Sequence, residues 1–438
     1  MQNYEKPTIK PLNIAIPSKS LFGSCHDTNY DIEGHPTEKL VQDFGSPLFV
    51  FSENKIRKNI KKAKQIFSTT YPDVQFAWSY KTNYLDKICN IMHQEGSWAE
   101  VVSGFEYEKA IRNGVAGGNI IFNGPNKSDH DLLIAAKNTS FIHIDNFEEL
   151  ERLNKICNEN DIKANIAIRV NMKINDSQSW DRFGFNLENG EAINALSIIA
   201  KSTKLRLKGL HCHLGTFIQD ATVYEKAAKK MSSLALETKN KFDIDIDYID
   251  MGGGFASKNT LRGSFLESPI LSEYAESIAN GLTECKLKNG NTPKLILECG
   301  RYLIDDTCEL LSSVIATRRS AEGRKQIIID AGVNTLFTAF WYDHKISMAS
   351  KHGQMTEDVT IYGPLCMNID VIRQYVTLPI LQKGMTLMIH NVGAYNITQS
   401  MQFINTRPAV ILIKEDSTIE CIRRKETIND IESLEDTQ

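Results

Sequence analysis

Gln75-Phe76-Ala77-Trp78-Ser79-Tyr80-Lys81-Thr82-Asn83 is an apolar run that stops abruptly at a lysine and two polar residues. Such a run reads as a buried strand. A lysine at the carboxyl end of a barrel strand points into the site that barrels build there. Its amine is a nucleophile once deprotonated and can then hold a carbonyl compound as a Schiff base. Most lysines at strand ends are simply solvated, so the meaning of Lys81 depends on what the rest of the chain places around it.

Strand and helix patterns alternate on both sides of this stretch. Leu48-Phe49-Val50-Phe51 reads as a strand; Ser52 then caps a helix with Ile56, Ile60, Ala63 and Phe67 on its apolar face. Further strands are expected to end near Lys81, Glu100, Asn123, Asp145, Arg169, His213, Asp250 and Glu298. A helix starts at Asn146, with Glu149 at capping-box spacing and Leu150, Leu153 and Ile156 on one face. This alternation predicts an α/β fold, a (β/α)8 barrel over residues 46–305. A doubly wound open sheet is the runner-up, but no G-x-G-x-x-G follows an early strand.

Beyond residue 305 the helices stop. Cys308 to Ala316, Lys325 to Asp330, Val359 to Tyr362, Thr386 to His390 and Pro408 to Ile413 read as strands of a second, all-β domain over 306–438. The irregular arm 1–45 is expected to pack on it, and the polar tail from Lys425 to fray or form a short helix.

Composition narrows the function. Fifty Lys and Arg stand against fifty-four Asp and Glu, a balance without a nucleic-acid footprint. No apolar run is long enough to span a bilayer, and Met1 to Pro7 lacks the core of a signal peptide. The nine cysteines are scattered without a Cys-x-x-Cys pair, so a reducing cytoplasm is expected and no disulfide framework.

Several polar segments fall where barrel strands end. Gly252-Gly253-Gly254 lets backbone come close to an anion and aim N–H groups at it, or is a flexible turn. His211 and His213 share one strand face, a pattern that also suits a metal; no third ligand recurs nearby, so no metal is expected. An imidazole can instead stack on an aromatic cofactor, with Thr216 donating to a phosphate. Glu298-Cys299-Gly300-Arg301 ends the last barrel strand. A buried glutamate is costly without a cationic partner, and a protonated pyridine nitrogen would serve; Arg301 offers a planar fork to an anion. In the β domain, Gly363-Pro364-Leu365-Cys366 presents a thiol after a turn, and Gly393-Ala394-Tyr395 a phenol.

Together these segments, with Glu100-Val101-Val102-Ser103-Gly104-Phe105-Glu106, resemble the fold-type III pyridoxal-phosphate decarboxylases, which include ornithine, arginine and diaminopimelate decarboxylases. Seven segments match in family order between about residues 45 and 410. The resemblance implies an alanine-racemase-like barrel with a C-terminal β domain, working as a homodimer with shared sites. It implies that Lys81 forms the Schiff base with pyridoxal 5'-phosphate and that His213 stacks on its ring. Glu298 would pair with the pyridine nitrogen, while Glu100 and Arg169 lie near the ring. Thr216, Gly252, Gly253, Gly254, Gly300, Arg301 and Tyr395 would surround the phosphate. Cys366 would protonate the carbanion in the partner's site. Arg301, Tyr342, Asp343, Met367 and Tyr395 are the expected substrate contacts.

The departures bear on the substrate. Where diaminopimelate decarboxylases carry an arginine for the distal carboxylate this chain has Thr338, and the acidic residue usual after the cysteine is Met367. Trp341-Tyr342-Asp343-His344 is similar to the ornithine-type enzymes, whose aspartate meets a distal amine. Cys299 replaces the usual proline. The expected activity is α-decarboxylation of a basic or conjugated diamino acid, a siderophore-type citryl–amino-acid conjugate among the candidates. Alternatives are diaminopimelate decarboxylation for lysine biosynthesis, a racemase or epimerase, and a catalytically silent regulatory homologue. Related racemases carry arginine at the pyridine nitrogen, and a silent homologue would have lost Lys81 or Cys366.

Overall fold

The structure, a computed structural model, describes residues 29–435 apart from 175–179, 265, 284, 287–289 and 291. Val74–Ser79, Trp98–Val101, Ile120–Phe122, Phe141–Ile144, Ala164–Asn171, Leu205–His211, Tyr248–Asp250 and Lys294–Leu297 form a parallel sheet. Leu205–His211 pairs with Ala164–Asn171 on one side and Tyr248–Asp250 on the other, and Lys294–Leu297 pairs back onto Val74–Ser79, closing the barrel. Each strand ends within about two residues of its expected position.

Side chains alternate faces along a strand, so residues two apart share the interior. Here that step separates two layers. Ala77, Ile121, Ala167, Tyr248 and Ile296 form an apolar plug with Trp98 and Phe141. Two residues further along these strands stand Ser79, Asn123, Arg169, Asp250, Glu298, Glu100 and His143. The eighth strand follows the same step, from Gly209 to His211. A Cβ at Gly209 would lie 2.2 Å from the Tyr248 ring, so only glycine leaves room for that ring in the plug.

The helices cap as the sequence indicates. Ser52 accepts from the Lys55 N–H at the start of Glu53–Thr70, whose Ile56, Ile60, Ala63 and Phe67 are buried. Asn146 accepts from Glu149 N–H at the start of Phe147–Glu159. The reciprocal half of the expected capping box is absent. The Glu149 carboxylate lies 2.7 Å from Lys127 Nζ, which is fully buried and also donates to the carbonyls of Gly124 and His143. The other Glu149 oxygen accepts from Asp145 N–H at 3.3 Å, one residue before the cap, so the buried ammonium sets where the carboxylate points.

The second sheet runs in the order Val371–Pro379, Thr356–Tyr362, Lys325–Ile329, Cys308–Arg319, Leu48–Ser52, Ala409–Ile413 and Ile419–Arg423. Leu48–Ser52 therefore corrects the boundary expected at residue 46. It pairs antiparallel with Cys308–Arg319 and parallel with Ala409–Ile413, and the barrel begins with the helix that follows it. All five of its residues are buried, which a central strand covered on both faces requires. The arm packs on this domain through Leu40, which clusters with Leu48, Ala349 and Met388, and through Asn29 N–H to the Met348 carbonyl. Its first 28 residues, Cys25 among them, lie outside the described part. The tail is a short helix, Ile428–Glu432, with a Thr427–Asp430 capping box.

If the two-layer interior holds as described, Gly209→Ala should cost about 1–3 kcal/mol of stability through overpacking against Tyr248. Urea denaturation reads this directly; an unchanged midpoint would mean that the ring does not need the space.

Candidate active site

A cavity of about 790 Å³ opens over the polar layer, at the carboxyl ends of the barrel strands. That size suits a cofactor together with a small substrate. Lys81 stands just past its strand, its backbone held by Tyr80 N–H to the Glu100 carbonyl and Thr82 N–H to the Ser79 carbonyl. Its ammonium lies 2.8 and 2.7 Å from the two oxygens of Glu100. Burial works to lower the Lys81 pKa, but Glu100, Glu298 and Tyr395 outweigh it and hold it above the ordinary lysine range.

Asn123 ties the two acids together: its amide donates to Glu100 Oε1 at 3.0 Å and to Glu298 Oε1. The amine of residue 81 and the carboxylate of residue 298 thus belong to one cluster, as the sequence reading requires. Burial pushes the Glu298 pKa up, but the Lys81 charge and smaller contributions from His143, His213 and Asp250 together outweigh it, so the group stays an anion.

The glycine run shapes the floor. Gly252 and Gly254 have φ of +67° and +93°, and a Cβ at Gly253 would meet the Glu298 carbonyl at 2.4 Å. Gly253 N–H donates to His213 Nδ1 at 3.2 Å, which makes Nδ1 the acceptor and leaves any proton on Nε2. Burial, with Arg169 and Lys81 nearby, pushes the His213 pKa down to about 3, so the ring is a neutral plate. Arg301 lies over the Tyr395 ring at 4.5 Å and reaches Thr216 Oγ1 through Nη2 at 3.4 Å. Its Nη1 is buried without a hydrogen-bond partner among the described residues. A Cβ at Gly300 would sit 2.0 Å from Thr82 Oγ1, so the chain turns tightly into Arg301.

The structure thus brings Lys81, Glu100, Arg169, His213 and Glu298 to the cavity wall, with Thr216, Gly254, Gly300, Arg301, Tyr342 and Tyr395 around them. Gly252 and Gly253 back that wall. Three expected residues are elsewhere. Cys366 is exposed on a loop pinned by Asp370, whose carboxylate accepts from Val333 N–H at 2.8 Å and Leu365 N–H at 2.7 Å. Met367 sits on the same loop, half-buried against the core. Asp343, expected to read a distal amine, is not on the cavity wall; its carboxylate lies 3.9 Å from Arg262 and 3.8 Å from Arg373. Two guanidiniums already face that charge, so the expectation of an amine there is withdrawn.

Asn123, His143 and Asp250 escaped the sequence reading as site residues, although three of the expected strand ends fall at or beside them. The signal was the position two residues beyond an apolar plug residue.

This donor set fits pyridoxal phosphate. An amine, an anionic carboxylate and a flat neutral imidazole line one cavity, and an unpartnered guanidinium N–H near a glycine run awaits an anion. Comparison with known proteins agrees. Residues 54–305 match the "Pyridoxal-dependent decarboxylase, pyridoxal binding domain" family and residues 301–393 the "Pyridoxal-dependent decarboxylase, C-terminal sheet domain" family. The chain belongs to the pyridoxal-dependent decarboxylases, and is a carboxy-lyase that acts on an amino acid with pyridoxal phosphate as cofactor. It is 28% identical to diaminopimelate decarboxylase of Bacillus methanolicus over 90% of this chain and 94% of that one. Identity to the Methanocaldococcus jannaschii enzyme is also 28%, over 92% and 94%. The crystal structure of the m. jannaschii diaminopimelate decarboxylase in co-complex with L-lysine superposes with a TM-score of 0.86 at 27% identity, covering 94% of this chain and 97% of that one. Among the described residues no helix is long and apolar enough to cross a membrane.

Asn123→Leu should leave two neighbouring acids without their shared donor. Loss of hydrogen bonds to charged groups at about 1.5–3 kcal/mol predicts a fall in kcat/KM of at least about tenfold. Steady-state kinetics with a fold check by circular dichroism test it; an unchanged constant would remove Asn123 from the site's working parts.

Proposed function

We propose that the protein decarboxylates the α-carbon of a diamino acid whose far end carries a carboxylate, within a cytoplasmic homodimer that shares its sites. Pyridoxal phosphate supplies the electron sink that makes loss of CO2 feasible. The chain supplies the rest. Lys81 holds the cofactor covalently, and Glu100 takes up the proton its amine must shed. Glu298 keeps a negative charge opposite the ring nitrogen. His213 and Arg169 border the ring, His213 with its neutral face. Arg301, Thr216, Tyr395, Gly300 and the N–H groups of Gly252 to Gly254 take the phosphate.

Cys366 is the acid that returns a proton to the α-carbon, and it does so in the partner's site. What supports this is its exposure: the Asp370-pinned loop holds the thiol outward and away from the cavity of its own chain. Met367 then borders the partner's substrate. The eight described cysteines are all unpaired, which fits a reducing compartment.

The observation that carries the substrate class is Arg262. It lines the cavity beside Leu261 and Trp341. Its Nη2 donates to the Val371 carbonyl at 3.0 Å and the Ile372 carbonyl at 3.4 Å, and its buried Nε has no hydrogen-bond partner among the described residues. Arg262 shares the Asp343 carboxylate with Arg373, at 3.9 and 3.8 Å, so its guanidinium on the cavity wall suits a distal anion better than an amine. Thr338 cannot take that part: it is buried and bonded to Asn396 and His344. A conjugate bearing a free carboxylate, such as a citryl amide, fits the roomy aromatic wall of Trp341, Phe340 and Phe217. Diaminopimelate is the second reading, favoured by the names of the relatives.

Measuring CO2 release from meso-diaminopimelate, citryl–diamino-acid conjugates, lysine, ornithine and arginine tests the class. The best substrate should carry a distal carboxylate, and Arg262→Leu should raise its KM about 10- to 100-fold, as loss of a charge-assisted hydrogen bond implies. Lysine or ornithine as best substrate, indifferent to Arg262→Leu, would overturn the assignment.

Mixing the inactive variants Lys81→Ala and Cys366→Ala should restore about one quarter of wild-type activity, since random heterodimers keep one intact site. No recovery after demonstrated subunit exchange would place the thiol's action within its own chain.

A further inference from the structure

Glu298 is not the only acid at its level. One ligand atom from each of His143, His211, Asp250 and Glu298 lies within 4.8 Å of the others, and all four residues are buried. Asp250 Oδ1 accepts from Gly252 N–H at 2.8 Å. Asp250 Oδ2 is buried and has no donor among the described residues. Both ring nitrogens of His211 are equally without a hydrogen bond, and Nε2 stands 3.5 Å from Glu298 Oε2. His143 Nε2 is engaged by the Tyr248 hydroxyl at 3.0 Å.

Two adjacent buried carboxylates cannot both stay ionised unless a cation stands between them. The histidines do not supply one: burial holds His143 and His211 well below the ordinary range, so both are neutral. Lys81 and Arg169 are the charges that face the cluster from the cavity, and Glu100 already takes Lys81. Of the two acids, Glu298 has the Asn123 amide and is stabilised as an anion by the Lys81 charge, while Asp250 is pushed up by burial and then by Glu298. The orphaned Oδ2 is therefore where the proton of the pair belongs.

We infer that Asp250 is a neutral carboxylic acid whose O–H donates to Glu298, a positioning residue that keeps the proton shared with the cofactor on the ring nitrogen. This rests on the proposed place of Glu298 opposite that nitrogen. An O–H donated to Glu298 stabilises its anionic form and makes it the weaker base. The proton between glutamate and pyridine then resides on the pyridine, where it strengthens the electron sink. Without the donor, Glu298 competes for that proton and the sink weakens although every group touching the cofactor is in place.

The test uses holoenzyme loaded with pyridoxal phosphate labelled with 15N in the ring. Wild type and Asp250→Asn, whose amide can still donate to Glu298, should both show a protonated ring nitrogen. Asp250→Leu should move the 15N shift toward the unprotonated position and lower kcat about 10- to 100-fold with KM little changed, the size of effect expected for one hydrogen bond to a charged group. Infrared spectroscopy of the wild-type protein should show a carboxylic-acid C=O band, sensitive to D2O and lost in Asp250→Asn; this measurement decides the matter should Asp250→Leu fail to fold. An unmoved 15N shift in folded Asp250→Leu, absence of the band, or a stoichiometric metal ion in the purified protein would each overturn the inference. Glu298→Gln separates the two levels. If it too leaves the nitrogen protonated, the place given to Glu298 fails; if it alone deprotonates the ring, only the part given to Asp250 fails.

Discussion

Three acids, Glu100, Asp250 and Glu298, are buried at one level of a closed barrel, and the surrounding structure exists largely to make that tolerable. Removing a carboxylate from water costs several kcal/mol unless a cation or well-aimed donors replace the solvent. Lys81 meets Glu100 through both oxygens, Asn123 spans Glu100 and Glu298, and the Gly252 N–H meets Asp250. Among the described residues Asp250 Oδ2 is left without a donor at this level, and the cluster is open toward the cavity. Glu298 and Arg301 keep bonding capacity there that a pyridinium ring and its phosphate would use. A site poised in this way binds a cationic aromatic ring with little reorganisation, which is what electrostatic preorganisation means for a cofactor enzyme.

The apolar plug beneath the acids is the other half of the same design. Tyr248 fills the space that Gly209 leaves, and Trp98, Phe141 and Ile296 close the barrel below the polar ring. The plug holds strand register, because a slip of one residue would turn every acid outward. It also keeps water from the far side of the acids, so the charges of Glu100 and Glu298 act on the cavity at low dielectric. Stability and chemistry are served by adjacent rows of the same eight strands.

The second sheet contributes in a different way. The strand Leu48–Ser52, central to it, leads directly into the first barrel helix, so the two halves of the molecule are bound at the chain's entry to the barrel. From this domain Tyr395 reaches the cavity, with its N–H on the Thr82 carbonyl next to Lys81, while the Gly363–Asp370 loop leaves Cys366 exposed. A domain that lines its own cavity with a phenol and presents a thiol outward is what the proposed homodimer would require.

The sequence by itself determined the α/β alternation, the positions where eight strands end, and that Lys81, His213, Glu298 and Arg301 stand at or just past those ends, where the structure gathers them on one cavity. These are legible because strand period and terminal residue type are local properties of the chain. Tertiary structure alone decided what depends on groups distant in sequence. Glu149 left its capping box for Lys127, twenty-two residues earlier. Asp343 was claimed by Arg262 and Arg373. Leu48–Ser52 joined the second sheet because the partners able to cover both its edges, Cys308–Arg319 and Ala409–Ile413, lie more than 250 residues away. Asn123, His143 and Asp250 became part of the site only when the barrel closed and brought eight separate strand ends to one level. No local pattern encodes that closure, since it is fixed by the pairing of the last strand with the first.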